Sequence, residues 1–223
     1  MNKLSPSILA ADFANLGKCI QYVDIAGAEY IHIDVMDGDF VSSISLGMPV
    51  IRSIRKVTDK VFDVHLMIQN PERYIDEFVD CGADIITVHA EACKNLESVI
   101  CQIRNAGVKV GVSIKPQTKI VEIEHILGQV DMILLMTVNP GFGGQKYIES
   151  STEKIKELKE MIDERHCSVD IEVDGGITKE NIQEVLEAGA NVIVMGSSIF
   201  RGDISENTKY FKKVLQDYEK GIS

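Results

Sequence analysis

YIHIDVMDG, residues Tyr30–Gly38, joins a run of apolar and β-branched residues to a charged end and a glycine. Because successive side chains of a strand point to opposite faces, His32, Asp34 and Met36 should share one face, with three aliphatic side chains on the other. An imidazole and a carboxylate on one strand face are costly to bury without partners. The segment is therefore open to two interpretations: a satisfied His–Asp pair in a core, or a metal or proton-transfer site at the end of a strand.

The composition is that of an ordinary globular protein, with 223 residues, 45% of them hydrophobic and 26% charged. Because α/β barrels commonly occupy this length as one unit, we expect a single domain over residues 1–223. The net charge of −11 disfavours nucleic acid and anionic membranes as partners. A small anionic substrate is compatible with this charge if backbone N–H groups supply the positive potential.

Cysteine usage and the start of the chain indicate a cytoplasmic protein. The five cysteines are scattered and form no C-x-x-C motif, which favours reduced thiols over a disulfide framework or a zinc knuckle. The segment Met1–Pro6 lacks an apolar signal core, and no apolar run approaches the length that spans a membrane.

A repeat of a helix end, a glycine and an apolar run is visible along the chain. Gly27, Gly82, Gly107 and Gly189 each precede such a run, at separations of 55, 25 and 82 residues. These separations are close to two, one and three steps of about 27 residues, the length of half a βαβ repeat. Glycine suits the left-handed end of a helix, and the apolar run then predicts a buried parallel strand.

The complete series predicts eight strands separated by amphipathic helical stretches. The predicted strands are Leu4–Ala10, Tyr30–Met36, Val61–Met67, Ile85–His89, Val108–Ile114, Met132–Val138, Val169–Val173 and Val192–Met195. The clearest helical stretches are Asn15–Ala26, Pro71–Cys81, Glu149–Arg165 and Thr178–Ala188. This alternation predicts an α/β fold, a single (β/α)₈ TIM barrel. A doubly wound open sheet is the alternative, since periodicity alone does not show closure.

In such a barrel the active site lies at the carboxyl ends of the strands. Strand parity places His32, Asp34, His65 and Asp174 there. Two imidazoles and two carboxylates form a plausible N₂O₂ site for a divalent zinc, iron(II), manganese or cobalt ion. No local ligand spacing supports this set.

The same ends carry further candidates, each with a simpler interpretation beside it. Met36, Met67 and Met136 would form a water-poor, polarizable wall beside the carboxylates, although each alone is typical core filler. His89 is either a strand-end histidine bonded to a neighbour or a substrate contact.

Three consecutive βα loops are rich in glycine. They are Asn139–Gln145 after strand six, Asp174–Gly176 after strand seven and Gly196–Ser198 after strand eight. The loops after strands seven and eight bind phosphate in many barrels, and the first loop could act as a mobile lid. The pattern therefore favours a phosphorylated substrate held by backbone N–H groups.

Together these motifs resemble the ribulose-phosphate 3-epimerase family, in family order and over nearly the whole chain. The matching segments are Pro6–Phe13, His32–Gly38, Asp63–Met67, Asn139–Gln145, Glu172–Gly176 and Gly196–Ser197. The resemblance implies a metal-dependent isomerase of the pentose phosphate pathway that interconverts D-ribulose 5-phosphate and D-xylulose 5-phosphate. It also implies one divalent metal held by His32, Asp34, His65 and Asp174, with Asp34 and Asp174 as the acid/base pair.

The implied substrate-binding residues lie at the same barrel end. They are Ser7, His65, Gly141, Phe142, Gly143, Gly144, Gly175, Gly176, Gly196 and Ser197. One departure from the family is Ser42-Ser43, where proline and asparagine are common; we expect a looser loop and an altered fine substrate preference. We further expect a phosphorylated ketopentose substrate and a homo-oligomer.

Epimerisation beside a ketone requires one group to take a proton from one face while another returns a proton to the opposite face. Two aspartates that face each other across a barrel mouth meet this need. Rival hypotheses are an epimerase of a ketohexose phosphate such as D-allulose 6-phosphate, and a catalytically silent sugar-phosphate sensor. A decarboxylase of the orotidine monophosphate type is disfavoured because its lysine is missing between Asp34 and Asp37.

Overall fold

Eight parallel strands form one sheet in the computed structural model, which describes residues 1–222. The strands are β1 (Lys3–Pro6), β2 (Tyr30–Met36), β3 (Val61–Met67), β4 (Ile85–His89), β5 (Lys109–Ile114), β6 (Met132–Met136), β7 (Asp170–Asp174) and β8 (Val192–Met195). Four of them have the predicted bounds, β5 and β6 differ by one or two residues at one end, and β7 is shifted by one residue at both ends.

The sheet is a nearly closed barrel. The strand order is β1-β8-β7-β6-β5-β4-β3-β2, and a single parallel bridge between Ser7 and His32 joins β2 back to β1. The predicted barrel is therefore confirmed, and the doubly wound sheet is wrong. The seam between β1 and β2 is its weakest junction, because the other neighbouring strands share three or more register pairs.

Helices follow the strands around the outside. They are α1 (Leu16–Ile25), α2 (Met48–Ile54), α3 (Ile75–Asp80), α4 (Leu96–Asn105), α5 (Ser151–Glu164), α6 (Ile182–Glu187), α7 (Ser197–Phe200) and α8 (Ile204–Glu219). The connection from β5 to β6 is instead a 3₁₀ helix, Ile120–Gln129. Its buried Ile120, Ile123 and Ile126 recur every third residue, which matches the three-residue turn of that helix.

The predicted first strand, Leu4–Ala10, is too long. β1 ends at Pro6, and Ile8–Ala10 form a 3₁₀ turn closed by the bond from Ala11 N–H to Ile8 O. The apolar character of this stretch continues because Ile8 is fully buried in the main core. This early end turns the Ser7 side chain toward β2.

The main apolar core lies between the outer face of the sheet and the helices. Aliphatic residues of the strands, such as Ile33 and Val64, are buried in one cluster with helical residues such as Ile20 and Ile75. The alternate strand positions point into the barrel, where several polar side chains are fully buried. The barrel interior is therefore the place to look for chemistry.

Among the helices of residues 1–222, none has the length and apolar character needed to cross a membrane.

Candidate active site

Three strands bring His32, Asp34, His65 and Asp174 together at the carboxyl end of the barrel. One ligand atom from each of the four lies within 4.8 Å of the others. Asp34 Oδ1 is 3.3 Å from His32 Nε2 and 3.3 Å from His65 Nδ1, and Asp174 Oδ2 is 3.9 Å from His65 Nδ1. Asp34 and His65 are register partners on β2 and β3, so the fold itself sets them side by side.

One buried ring nitrogen of His32 has no hydrogen-bond partner, which suits these four residues for binding a cation. His32 Nδ1 bonds Asp63 Oδ2 at 2.7 Å, which leaves Nε2 without a hydrogen-bond partner although it is buried. Nε2 faces Asp34 Oδ1 without hydrogen-bond alignment. In a metal-ligating histidine, one ring nitrogen is typically held by a carboxylate while the other is free of hydrogen-bond partners and can bind the metal. The residues present therefore fit a divalent metal.

Excess negative charge also makes a cation favourable here. Burial lowers the pKa of His32, but the charges of Asp63 and Asp34 outweigh burial and raise it well above the ordinary value. Below His32, burial and the charge of Asp63 raise the pKa of Glu172 well above its usual range. The site therefore retains protons when no other cation is present, and a metal can replace them.

The two aspartates have different proton affinities. Burial acts to raise the pKa of Asp34, but His32 and His65 lower it below the ordinary value. Burial and then the charge of Asp34 raise the pKa of Asp174 to about 6. Ser7 Oγ adds a hydrogen bond of 2.5 Å to Asp34 Oδ2. One carboxyl is thus ionised while the other holds a proton readily, as an acid/base pair requires.

A cleft opens above these aspartates. Ser7, Asp34 and Asp174 line it, and the predicted methionine wall is present, since Met36, Met67 and Met136 line it too. Every candidate glycine of the three βα loops, with Phe142 and Ser197, is also part of the lining. His32 and His65 are fully buried beneath Asp34 and Asp174 and are not part of the lining.

Backbone geometry in the loop after β7 requires glycine. Gly176 has φ +70°, and a Cβ there would lie 2.3 Å from the backbone nitrogen of Tyr147. Within the described chain, the N–H groups of Gly176 and Ser197 donate to no other residue. Unpaired N–H groups that converge on a cleft can bind an anion such as phosphate.

The loop after β6 is held in shape by Gln145. Its Nε2 donates to Asn139 O at 2.6 Å and to Phe142 O at 2.8 Å. Gly141 packs against Val41 of the loop after β2, so the two loops meet beside the cleft. The Phe142 side chain is 61% exposed at this edge and can cover a bound ligand.

The structure decides between the two interpretations of His89. Its side chain is fully buried, does not line the cleft, and bonds His65 and Glu91. The interpretation as a histidine bonded to a neighbour is therefore confirmed.

Sequence reasoning missed Asp63, Glu172 and Ser45. Strand parity could have found the first two, because they lie two residues before His65 and Asp174 on the same inner faces. Ser45 had no such signal: its hydroxyl donates to Asp34 O at 2.6 Å and accepts from Met36 N–H at 2.9 Å. The loop that contains Ser42 and Ser43 thus folds back onto the end of β2.

The chain is similar over most of its length to proteins of one family. The model of the ribulose-phosphate 3 epimerase family matches residues 3–200. The ribulose-phosphate 3-epimerase of Bacillus subtilis (strain 168) is 53% identical over 201 residues, which cover 90% of this chain and 93% of that protein. That of Synechocystis sp. is 50% identical over 199 residues, with 88% and 86% covered. The solved KGPDC from Streptococcus mutans shares the fold, with a TM-score of 0.76 at 13% identity over 96% of this chain and 97% of that one.

Proposed function

The chain belongs to the ribulose-phosphate 3-epimerase family, and from this we propose that it interconverts D-ribulose 5-phosphate and D-xylulose 5-phosphate by proton transfer at C3. It is an epimerase, an enzyme of the isomerase class. The observation that carries the proposed mechanism is the convergence of Asp34 and Asp174, with opposite pKa shifts, at the floor of one cleft.

Asp34 and Asp174 act as the proton-transfer pair. Ionised Asp34 takes the C3 proton from one face of the substrate, and protonated Asp174 returns a proton to the other face. The reverse reaction exchanges their roles. A pKa of about 6 suits Asp174 for both roles, because the group can gain or lose a proton near neutral pH.

We assign His32, Asp34, His65 and Asp174 as the residues that hold one divalent cation: zinc, iron(II), manganese or cobalt. The support is the bare, buried Nε2 of His32 and the mixed imidazole–carboxylate donor set. When bound, the cation supplies Lewis-acid stabilisation of the negative charge that develops on the enediolate oxygens.

The remaining lining residues bind and enclose the substrate. We assign its phosphate to the N–H groups of the loops after β7 and β8, where Gly175, Gly176, Gly196 and Ser197 line the cleft. The loop Gly141–Gly144 covers the sugar, and the methionine wall limits access of water. Ser7 orients the Asp34 carboxylate through its hydrogen bond.

Deuterium exchange tests the reaction directly. In D₂O, the wild-type enzyme should convert ribulose 5-phosphate to xylulose 5-phosphate labelled at C3. Asp34→Asn and Asp174→Asn should each lower kcat by about 10² to 10⁴ with the fold retained. A catalytically silent sensor would leave C3 unlabelled. Near-wild-type rates in either variant would contradict the two-aspartate mechanism.

Substrate length is tested in the same assay with D-allulose 6-phosphate. One observation supports the six-carbon alternative: the chain departs from the family at Ser42 and Ser43, and the adjoining Val41 packs against Gly141 of the loop after β6. We propose the five-carbon substrate, so kcat/KM for ribulose 5-phosphate should exceed that for the ketohexose phosphate. The opposite order would reassign the substrate.

We also propose a single catalytic domain, a cytoplasmic location and a homo-oligomer. The continuous eight-stranded sheet supports the first, and five free cysteines support the second. The third is supported by exposed apolar side chains that share a groove, Phe13 and Val50, which are 48% and 36% exposed. Light scattering of the purified protein would test the assembly.

A further inference from the structure

A chain of three side chains, two buried imidazoles and a more exposed carboxylate, runs away from the active site behind His65. His65 Nε2 lies 2.9 Å from His89 Nε2, and His89 Nδ1 lies 3.2 Å from Glu91 Oε2. Both imidazoles are fully buried, and their rings stack at 5.0 Å with a tilt of 29°. The Phe40 ring covers the outer side of His89, with ring centres 4.7 Å apart.

At the Glu91 end of this chain, the direction of the hydrogen bonds from donor to acceptor is fixed. Glu91 Oε1 accepts the backbone N–H of Lys115 at 2.7 Å and the hydroxyl of Thr118. A backbone N–H can only donate, so Oε1 is committed as an acceptor. Burial acts to raise the pKa of the Glu91 carboxyl, but its hydrogen bonds with His89, Thr118 and Lys115 outweigh burial and lower that pKa to about 2. The carboxylate is therefore ionised, and Oε2 also faces His89 as an acceptor.

That direction determines the proton positions along the chain. Because Glu91 accepts, the proton of neutral His89 lies on Nδ1, and its Nε2 is a bare acceptor. His65 must then donate from Nε2, since two bare nitrogens 2.9 Å apart would repel. With that proton on Nε2, His65 can bind a cation through Nδ1, the atom that faces Asp34 and Asp174.

We propose that Glu91 is a positioning residue that sets, through His89, the tautomer in which His65 presents a bare Nδ1 to the catalytic cation. Glu91 touches neither the cleft nor the reacting atoms. The inference rests on the cation site proposed above, but Glu91 fixes the proton on His89 Nδ1 whether or not a cation is bound.

Glu91→Gln should reverse the chain. The Lys115 N–H and the Thr118 hydroxyl would hold the amide oxygen where Oε1 now lies, which turns the amide NH₂ toward His89. His89 Nδ1 must then accept, so its Nε2 donates to His65 and moves the His65 proton to Nδ1. A protonated Nδ1 opposes cation binding.

Two measurements test this. In the cation-free protein, ¹⁵N NMR of the histidine rings should show the His89 proton on Nδ1 in the wild type and on Nε2 in Glu91→Gln. In chelator competition, Glu91→Gln should bind Mn²⁺ about 10 to 100 times more weakly, the range usual for loss of an outer partner of a ligating histidine. Glu91→Asp keeps the acceptor and should restore both the tautomer and most of the affinity.

The chain offers a matched control. Glu97 and His125 form another Glu–His pair at 3.2 Å, about half exposed at the surface. Glu97→Gln should leave the His89 tautomer and the Mn²⁺ affinity unchanged.

Wild-type His89 with its proton on Nε2 would overturn the proposal, even if Glu91→Gln does not fold. Wild-type Mn²⁺ affinity in folded Glu91→Gln would also overturn it. A wild-type protein that binds no Mn²⁺, zinc, iron(II) or cobalt would instead refute the cation site, while the NMR measurement still judges the proton order.

Discussion

Removing the Ser45 hydroxyl should damage both the seam of the barrel and catalysis. The hydroxyl serves two backbone groups of β2, donating to Asp34 O at 2.6 Å and accepting from Met36 N–H at 2.9 Å. Near this seam β2 has only the Ser7–His32 bridge to β1. Ser45→Ala keeps the bond from Ser45 N–H to Met36 O but leaves those two groups without the side chain.

The expected cost follows from these two bonds. Leaving a buried backbone group unpaired costs about 1–3 kcal/mol. Ser45 is only partly buried, so water can replace part of the lost hydrogen bonding. The free energy of unfolding should therefore fall by about 1–3 kcal/mol. For a chain of this size that corresponds to a Tm lowered by about 2–12 °C. Because the same backbone carries Asp34, a small displacement of its carboxylate should lower kcat by about 5- to 100-fold.

Thermal unfolding and steady-state kinetics on ribulose 5-phosphate measure both effects. Ser43→Ala is the matched control, since in that residue the backbone oxygen, not the side chain, bonds the loop through Gly38 N–H. It should change the free energy of unfolding by no more than about 0.5 kcal/mol. Ser45→Thr retains the hydroxyl and should recover most of kcat. If Ser45→Ala matched Ser43→Ala in both assays, the hydroxyl would not position Asp34.

Three shorter predictions concern pH, the phosphate loop and the cation. In cation-free protein, the raised pKa of Asp174 stabilises the fold below its ordinary value of 3.8, and this contribution is lost as pH rises through about 6. The Tm of Asp174→Asn relative to wild type should therefore increase between pH 4 and pH 7; a constant difference would contradict the shift. In Gly176→Ala the added Cβ would lie 2.3 Å from Tyr147 N, so the loop must move and KM should rise about tenfold or more. Gly128→Ala is the control, because its added Cβ meets open space, and it should not change KM. Free Mn²⁺ at one hundred times its Kd should add about 2.7 kcal/mol of stability, or about 5–11 °C in Tm, and a chelator should reverse it; an unchanged Tm would argue against the site.

Strand positions could be predicted from the sequence because buried parallel strands are short apolar runs bounded by glycine. The prediction was wrong where apolar residues form a 3₁₀ turn or a 3₁₀ helix instead of a strand or an α-helix. Ile8 is as apolar as a strand residue but belongs to a 3₁₀ turn after Pro6. The β5–β6 connection was expected to be an ordinary helix, but its isoleucines repeat every three residues, and a period of 3.0 is easily mistaken for 3.6.

The clustering of the four residues that we propose as cation ligands could be predicted because parity along each strand is a local property. Contacts between strands are not local. The bond from His65 to His89 depends on how β3 and β4 are aligned, and the Ser45 hydroxyl reaches Asp34 only because its loop folds back. No spacing in the sequence encodes either contact. The substrate contact of His65 stays a prediction, and strand parity does not show that His65 lies beneath the cleft.

The barrel interior connects these observations. Three strands carry pairs of titratable side chains two residues apart, namely His32 and Asp34 on β2, Asp63 and His65 on β3, and Glu172 and Asp174 on β7. Period two directs both members of a pair to one side of the strand, so each strand that supplies a cation-site residue also supplies a second ionisable group close to it. Asp63 thereby supports His32 from the neighbouring strand, and its charge raises the pKa of Glu172. This layered arrangement places more carboxylates than imidazoles around one point, so the site is stable only with protons or a cation bound. A protein with a net charge of −11 can therefore hold a cation by its side chains and a phosphate by its backbone within one cleft.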